Sequence, residues 1–348
     1  MRSGYYKETI VEHINLTDSM LQRAWIGIGL LLVIAAPFWF EFYGLSLITL
    51  MMITAIGAMG LNVLTGWTGL ISLGQTAFMV LGAYAYAIST ESWGWPPLLG
   101  FALAGIVPAI ASVIVGVPSL RLTGLYLAIT TLASAFIVNH LVLEFDGLTN
   151  GSSGIFVNRP TIFGYAFDTD AKFYYLTAGL GILTILACLN LRRSRIGRAL
   201  IAIRDNDNAA RVMGIDLRAY KLYAFVASSF IVGISGALYG IFLSFVTVDG
   251  FPFLLAIEAL AILIVGGMGS IAGAILGAIF LVGLPEVTSF VFSWMGSSAQ
   301  SLLSTSAHEI KGLLYGLIII LFLRLQPHGL MGLWQDARRT WTLWPLKY

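Results

Sequence analysis

The sequence predicts an all-α polytopic membrane protein with about ten transmembrane helices, and three observations carry that prediction. The 348 residues are 58% hydrophobic and only 10% charged, where a soluble domain has about 25% charged residues. Apolar runs of about 20 residues, long enough to cross a bilayer as a helix, recur along the whole chain. The 38 glycines suit helices that approach backbone to backbone in lipid. The alternating segments of a membrane β-barrel are missing from the sequence.

The runs place spans at roughly 24–41, 45–65, 70–89, 98–117, 122–143, 173–191, 220–244, 253–268, 270–292 and 309–325. The junctions 65–70 and 266–270 read as glycine-rich breaks. The chain reads as one transmembrane domain over 1–348. Its polar parts are a tail at 1–23, loops at 144–172 and 192–219, and a second tail at 326–348. The first apolar run ends in PFWFEFYG after a polar stretch, so no secretory signal is expected. A single cysteine, Cys188, excludes an internal disulfide and a cysteine-based metal site.

Charge gives the orientation. With the N-terminus cytoplasmic, the inner side holds Arg2, Lys7, Arg23, Arg121, the 192–221 segment, Arg324, Arg338, Arg339 and Lys347. The outer side holds Glu41, Glu91, Glu144, Asp146, Asp168, Asp170 and Asp249, offset only by Arg159 and Lys172. This agrees with the positive-inside rule and puts both termini in the cytoplasm. The loop 144–172 then faces the periplasm and 192–219 the cytoplasm.

The inner loop also has internal order. Ile196, Leu200 and Ile203 recur at helical spacing, and Asp205-Asn206-Asp207-Asn208 supplies helix N-cap residues. A helix over Ala209–Met213 then stops at Gly214, a good residue for a helix end. Two short helices joined at Asp205–Asn206 are expected. Helices this short need a partner surface. The bland alternative is a solvated loop that only sets topology. Against it stands Ala209-Ala210-x-x-x-Gly214, the core of the loop by which permeases of ATP-binding-cassette (ABC) importers dock on their ATPases; Asn208 stands where many importers have Glu.

Six stretches occur in order: GLNVLTGWTGLISLGQTAFMVLGAYAYA (60–87), RLTGLYLAITTLA (121–133), LTNGSSGI (148–155), SRIGRALIAIRDNDNAARVMGID (194–216), IEALAILIVGGMGSIAGAILGA (257–278) and LRLQPHGLMG (323–332). Together they resemble the LivM-type permease subunit of ABC importers for branched-chain amino acids, over about residues 45–332. The resemblance implies a permease in a bacterial or archaeal plasma membrane carrying leucine, isoleucine and valine. Urea, short amides and other amino acids are the alternatives. It further implies a second related permease subunit, two cytoplasmic ATPases and a periplasmic substrate-binding protein. No nucleic-acid partner is expected; the lipid bilayer is the surrounding phase. This chain binds no cofactor, and ATP with Mg2+ sits on the ATPases. The sequence agrees, since a phosphate-binding loop ends in Gly-Lys-Ser/Thr and none of the five lysines follows a glycine.

In the docking reading, the helix around Ala209 and Ala210 enters an ATPase groove, and Gly214 ends it. Arg198, Arg204 and Arg211 pair with acidic groups or carbonyls, and Asp205 or Asn206 caps the helix. In the membrane, Gly269, Gly273 and Gly277 share one helix face, as do Gly236/Gly240 and Gly312/Gly316. Internal packing is favoured over a subunit interface. The stretch from Asn62 through Thr65 to Gln75 is either a broken helix lining the translocation pathway or a tight turn. TGWTG and VGGMG at comparable places suggest an internal repeat. Glu258, inside the eighth span, belongs either to the pathway or to a structural hydrogen bond; Glu286 has the same two readings.

Two other classes were weighed. Gly151-Ser152-Ser153-Gly154 with His308 suggests an intramembrane serine protease, but Ser153 falls in a polar loop. His308-Glu309 lacks the second histidine of a zinc motif. A stand-alone channel or secondary transporter would leave the Arg-rich segment without a partner.

Overall fold

The apolar runs fold as helices throughout the residues that the computed structural model describes: 20–119, 124–162, 164–295 and scattered positions between 316 and 336. α1 is Met20–Trp39, and α2 is Phe42–Leu61. α2 continues as a wider π-helical turn over Asn62–Gly66. α3, Gln75–Ala87, ends in a similar turn at Ile88–Ser92. α4, Pro97–Ser119, opens on a proline, which has no N–H to leave unpaired. α5 is Leu125–Glu144 and α6 is Asp170–Arg193. Two short helices follow, α7 (Arg195–Asp205) and α8 (Asp207–Val212). α9, α10 and α11 are Leu217–Leu243, Phe253–Gly266 and Ile271–Met295.

Among the described residues, six helical segments are long and apolar enough to cross a membrane, by length and composition: 42–66, 97–119, 125–144, 170–193, 217–243 and 248–266. Two are mostly enclosed by the rest of the chain, with 67% of 42–66 and 61% of 217–243 buried; the other four are 28–39% buried. α2 and α9 therefore form the centre, and α4, α5 and α6 turn wide apolar faces outward through residues such as Ile114, Ile137 and Leu183.

Glycine decides how close the central helices come. A Cβ at Gly236 of α9 would lie 2.1 Å from the Met79 carbonyl of α3, and one at Gly233 would lie 2.1 Å from the Ala104 carbonyl of α4. A Cβ at Gly82 of α3 would meet the Gly233 carbonyl at the same distance. Small residues thus let three backbones touch.

Several expectations need correcting. The third span, placed at 70–89, begins as extended chain, and its helix starts only at Gln75. Gly269 is not on the face shared by Gly273 and Gly277. It has φ +86° and lies in the turn before α11. Gly273 and Gly277 do pack within the chain, against the Gly266 and Ile262 carbonyls of α10. Gly312, most of the 309–325 span, and most of both tails lie outside the described residues.

The loop 144–172 holds short strands that the all-α prediction did not include. β1 (Ile155–Phe156) pairs antiparallel with β4 (Phe245–Val246), and β2 (Thr161–Ile162) with β3 (Tyr165–Ala166). The first pairing staples this loop to the α9–α10 connection. Ionic and polar contacts also hold the loop: Glu91, in the turn after α3, accepts from the Asn158 backbone N–H and Nδ2, both at 2.9 Å. Arg159 pairs with Asp170. The Lys172 ammonium, 2.8 Å from Asp168, holds that carboxyl below its ordinary pKa.

Gly236→Leu is expected to destabilise the chain by about 1–3 kcal/mol or more, the usual cost of overpacking. Gly179→Leu, where no atom lies within 4 Å of a Cβ, should leave it unchanged. Thermal unfolding in detergent, followed by thiol labelling of the buried Cys188, measures both; equal melting of the two variants refutes the close packing.

Candidate functional site: an arginine-rich helix pair on a glycine junction

The Arg-rich segment folds as two capped helices. Ser194 caps α7 by accepting the Gly197 N–H at 3.2 Å. Gly197 is needed for the tight turn out of α6, because a Cβ there would sit 2.2 Å from the Leu191 carbonyl. α7 buries Leu200 and Ile203 and exposes Arg195 and Arg198.

Of the two candidate caps for α8, Asn206 is the one used. Its Oδ1 accepts the Asn208 and Ala209 N–H groups at 3.0 and 3.1 Å. Asp205 is instead the last residue of α7. α8 ends at Gly214, φ +83°. There the Gly214 N–H bonds the Arg211 carbonyl and the Ile215 N–H bonds that of Ala210, a Schellman closure. Asp216 caps α9 through the Arg218 and Ala219 N–H groups. Lys221 of α9, itself buried, holds Asp207 of α8 at 2.7 Å. A six-residue helix has no stability of its own; these caps and this ion pair supply its rigidity.

The two alanines separate. Ala209 and Arg211 are exposed, whereas Ala210 is 3% exposed and packs into the chain's own interior. The close approach expected of Ala210 toward a partner is therefore made to this chain instead. The outward face carries two residues the sequence reading passed over, Val212 and Met213, 87% and 83% exposed. Side by side, they form a small apolar spot on a charged segment.

Arg204, although exposed, reaches back to the glycine breaks. Its Nη1 donates to the Gly66 carbonyl at 2.5 Å, and its stem passes 3.7 Å from the Cβ position of Gly69. Gly66 ends the π-helical turn of α2, so the guanidinium meets the negative end of a helix. The same spot collects the other glycine break. Asn62 Oδ1 accepts the Gly269 N–H at 2.8 Å, and Asn62 Nδ2 donates to the Ser270 carbonyl at 3.2 Å. Trp67 Nε1 donates to the Gly269 carbonyl at 3.2 Å. Gly329 packs here too: a Cβ on it would lie 2.5 Å from the Gly267 nitrogen. TGWTG, VGGMGS, the end of SRIGRALIAIRD and the glycine of PHGLMG therefore meet at one junction. The paired breaks were visible in the sequence, but Trp67 and Gly329 as members of the junction were not.

From the junction the chain runs extended over 69–74. The Leu73 N–H donates to Thr131 Oγ1 of α5 at 3.0 Å, and that of Gly74 to Ser72 Oγ at 3.2 Å. Asn62, Thr65 and Gln75 are all enclosed, at 1%, 3% and 5% exposure. Among the described residues Thr65 Oγ1 and Gln75 Oε1 have no hydrogen-bond partner. Glu258 is half-buried on α10. Glu286 of α11 accepts a hydrogen bond from Tyr43 at the start of α2. A cleft of about 180 Å³ lies beside the start of α3, lined by Thr76, Asn139, Asp249 and the rings of Phe136, Phe251 and Phe253. Ser153 is exposed in a 3-10 turn, and His308 lies outside the described residues.

Comparison with known proteins fits this arrangement. Residues 43–323 match the family model described as branched-chain amino acid transport system / permease component. The chain is 33% identical over 342 residues to the high-affinity branched-chain amino acid transport system permease protein LivM of Escherichia coli K12, covering 90% of this chain and 76% of the relative. It is 28% identical to LivH of the same organism, covering 82% of each. The probable permease LivH of Methanocaldococcus jannaschii is 25% identical, covering 81% of this chain and 90% of the relative. No solved structure matches. A family model spanning most of the chain, and a relative 33% identical over 90% of it, place this protein in the branched-chain amino acid permease family.

Proposed function

We propose that the chain is the membrane permease of an ATP-driven importer that takes up leucine, isoleucine and valine across a bacterial or archaeal plasma membrane. The observation that carries the reading is the family membership, joined to a rigid helix that offers Val212 and Met213 outward at the Arg-rich end. In this reading the Arg-rich end faces the cytoplasm. Two ATPases, holding ATP and Mg2+, dock there on α8. A second related permease completes the pore, and a periplasmic binding protein delivers substrate to the face built by 144–172.

The geometry suggests how a stroke passes inward. The caps and the Lys221–Asp207 pair make α8 move with α9. The 27 residues of α9 span about 40 Å at 1.5 Å per residue, and they pack on α2, α3 and α4. The second route is α7, whose Arg204 holds the Gly66 carbonyl. Movement of the ATPases thus reaches the central helices through α9 and the glycine junction through Arg204. The junction sits at the cytoplasmic end of the pathway in this orientation, where a gate must open to release substrate.

Uptake of radiolabelled leucine by vesicles holding the whole assembly, with urea and acetamide as competitors, tests the substrate. Competition by isoleucine and valine alone supports the reading; competition by urea or amides, without valine, overturns the substrate assignment.

Val212→Asp with Met213→Asp is expected to abolish co-purification of the ATPases while leaving membrane insertion intact. Burying two such side chains is worth about 3–6 kcal/mol, or at least about a hundredfold in affinity. ATPases that stay bound exclude α8 as the docking surface. Ala209→Trp should act the same way, whereas Ala210→Trp tests the chain's own packing.

Arg204→Gln separates docking from transmission. ATPase binding should persist, while leucine transported per ATP hydrolysed falls by about tenfold, the effect of losing one charge-assisted bond of about 1.5 kcal/mol. An unchanged ratio would show that the junction takes no part in the stroke.

A further inference from the structure

A groove of about 430 Å³ opens between α6 and α9 beside the Arg-rich end, walled by Ala187, Leu191, Leu200, Tyr223, Ala227 and Phe230. It exists because α2 packs against both α6 and α9, while those two make almost no direct contact, and α7 crosses the gap at one end. Apart from the Tyr223 hydroxyl, these walls offer hydrocarbon. The mouth is different. Cys188 also lines the groove, and Arg192 follows it by four residues on α6, one turn on along the same face. Arg193 and Arg195 flank the α6–α7 turn, and all three arginines are exposed.

We propose that this groove binds one anionic phospholipid of the cytoplasmic leaflet, with an acyl chain along α6 and α9 and its phosphate between Arg192 and Arg195. The proposal rests on the membrane orientation of the importer reading. Apolar walls below a basic rim match the two halves of such a lipid, and basic pockets between transmembrane helices on this side recognise anionic headgroups. Tyr223, half exposed at 55%, brings an amphipathic ring of the kind that sits at headgroup level. A second permease subunit is a poorer occupant. Any chain spanning the same bilayer is itself enriched in Lys and Arg on the cytoplasmic side, so its inner end would face this rim with like charge.

The site has a consequence for the machine. Leu200 walls the groove from α7, and Arg204, one turn further along that helix, grips the junction. A lipid in the groove therefore supports the helix that carries the second transmission route, and transport per ATP becomes sensitive to anionic lipid.

The test is lipid binding to the purified assembly, read by native mass spectrometry after delipidation and titration with phosphatidylglycerol or phosphatidylcholine of the same chain length. One phosphatidylglycerol is expected to bind at least about tenfold more tightly than phosphatidylcholine, from the worth of each arginine near an anionic group. Arg192→Gln with Arg195→Gln, on exposed positions, should erase that preference. Ala227→Trp, which fills the groove, should remove the bound lipid of either kind. Equal binding of the two lipids to the unaltered protein overturns the proposal, as does phosphatidylglycerol retained by Ala227→Trp. Loss of the partner permease from Ala227→Trp, with lipid binding unaffected, would make the groove a subunit interface and also overturn it. None of these readouts involves substrate, so a failed importer reading and a failed lipid site remain distinct.

Discussion

Inside a bilayer a chain that leaves the helix must find partners for every N–H and carbonyl it frees, and in this protein the Asn62 side chain, at the start of one break, answers that demand for the other. Its amide oxygen takes the Gly269 N–H and its amide nitrogen the Ser270 carbonyl. One asparagine at the end of the first central helix thus satisfies the backbone of a turn about 200 residues away. A buried donor without a partner costs about 1–3 kcal/mol, so the α2 and α11 halves of the molecule are held in register by a contact that neither half can replace alone. The glycines follow from it. A Cβ at Gly66 would lie 2.7 Å from the Gly269 nitrogen, so the breaks can be adjacent only where they lack side chains.

Much of the fold was legible because periodicity and charge act locally. Apolar runs predicted helices at nearly every described span, and Asn206 and Gly214 began and ended α8 through chemistry confined to one turn. The reading failed where the deciding partner was distant in sequence. Arg204 read as one of three cations that pair with acidic groups or carbonyls of a docked ATPase, and only the folded chain shows that it reaches the carbonyl of its own Gly66, 138 residues earlier. Ala210 and Ala209 are chemically alike, and the twist of α8, fixed by its cap, decides which of them faces inward. Gly269 shared a four-residue spacing with Gly273, but its positive φ puts it outside the helix that the spacing suggested. The β1–β4 pair was hidden for a different reason: two residues per strand leave no alternation to detect.

The Arg-rich segment answers two demands with separate faces. Positive charge on this side is what membrane topology asks for, and any arrangement of the arginines would satisfy that. Their actual placement is more specific. Arg192, Arg193 and Arg195 surround the turn from α6 into α7, at the rim of an apolar groove. Arg204 stays exposed while its guanidinium reaches a helix end. Arg211 stays beside the exposed Val212 and Met213. In the proposed readings the same residue type therefore serves lipid, backbone and partner surface within twenty positions, and replacing any one of them tests a different property.

In the proposed docking role, the shortness of α8 is what lets the arrangement transmit force. A longer helix would have stability of its own and could rotate against α9 as an independent body. Six residues cannot, so α8 exists only while Asn206, the Gly214 closure and the Lys221–Asp207 pair hold it. A load applied to Val212 and Met213 then has two outcomes: the helix melts, or α9 moves with it. Lys221 is buried against the chain, where an ion pair that loses one partner leaves a costly unpaired charge, and that penalty weights the balance toward movement of α9.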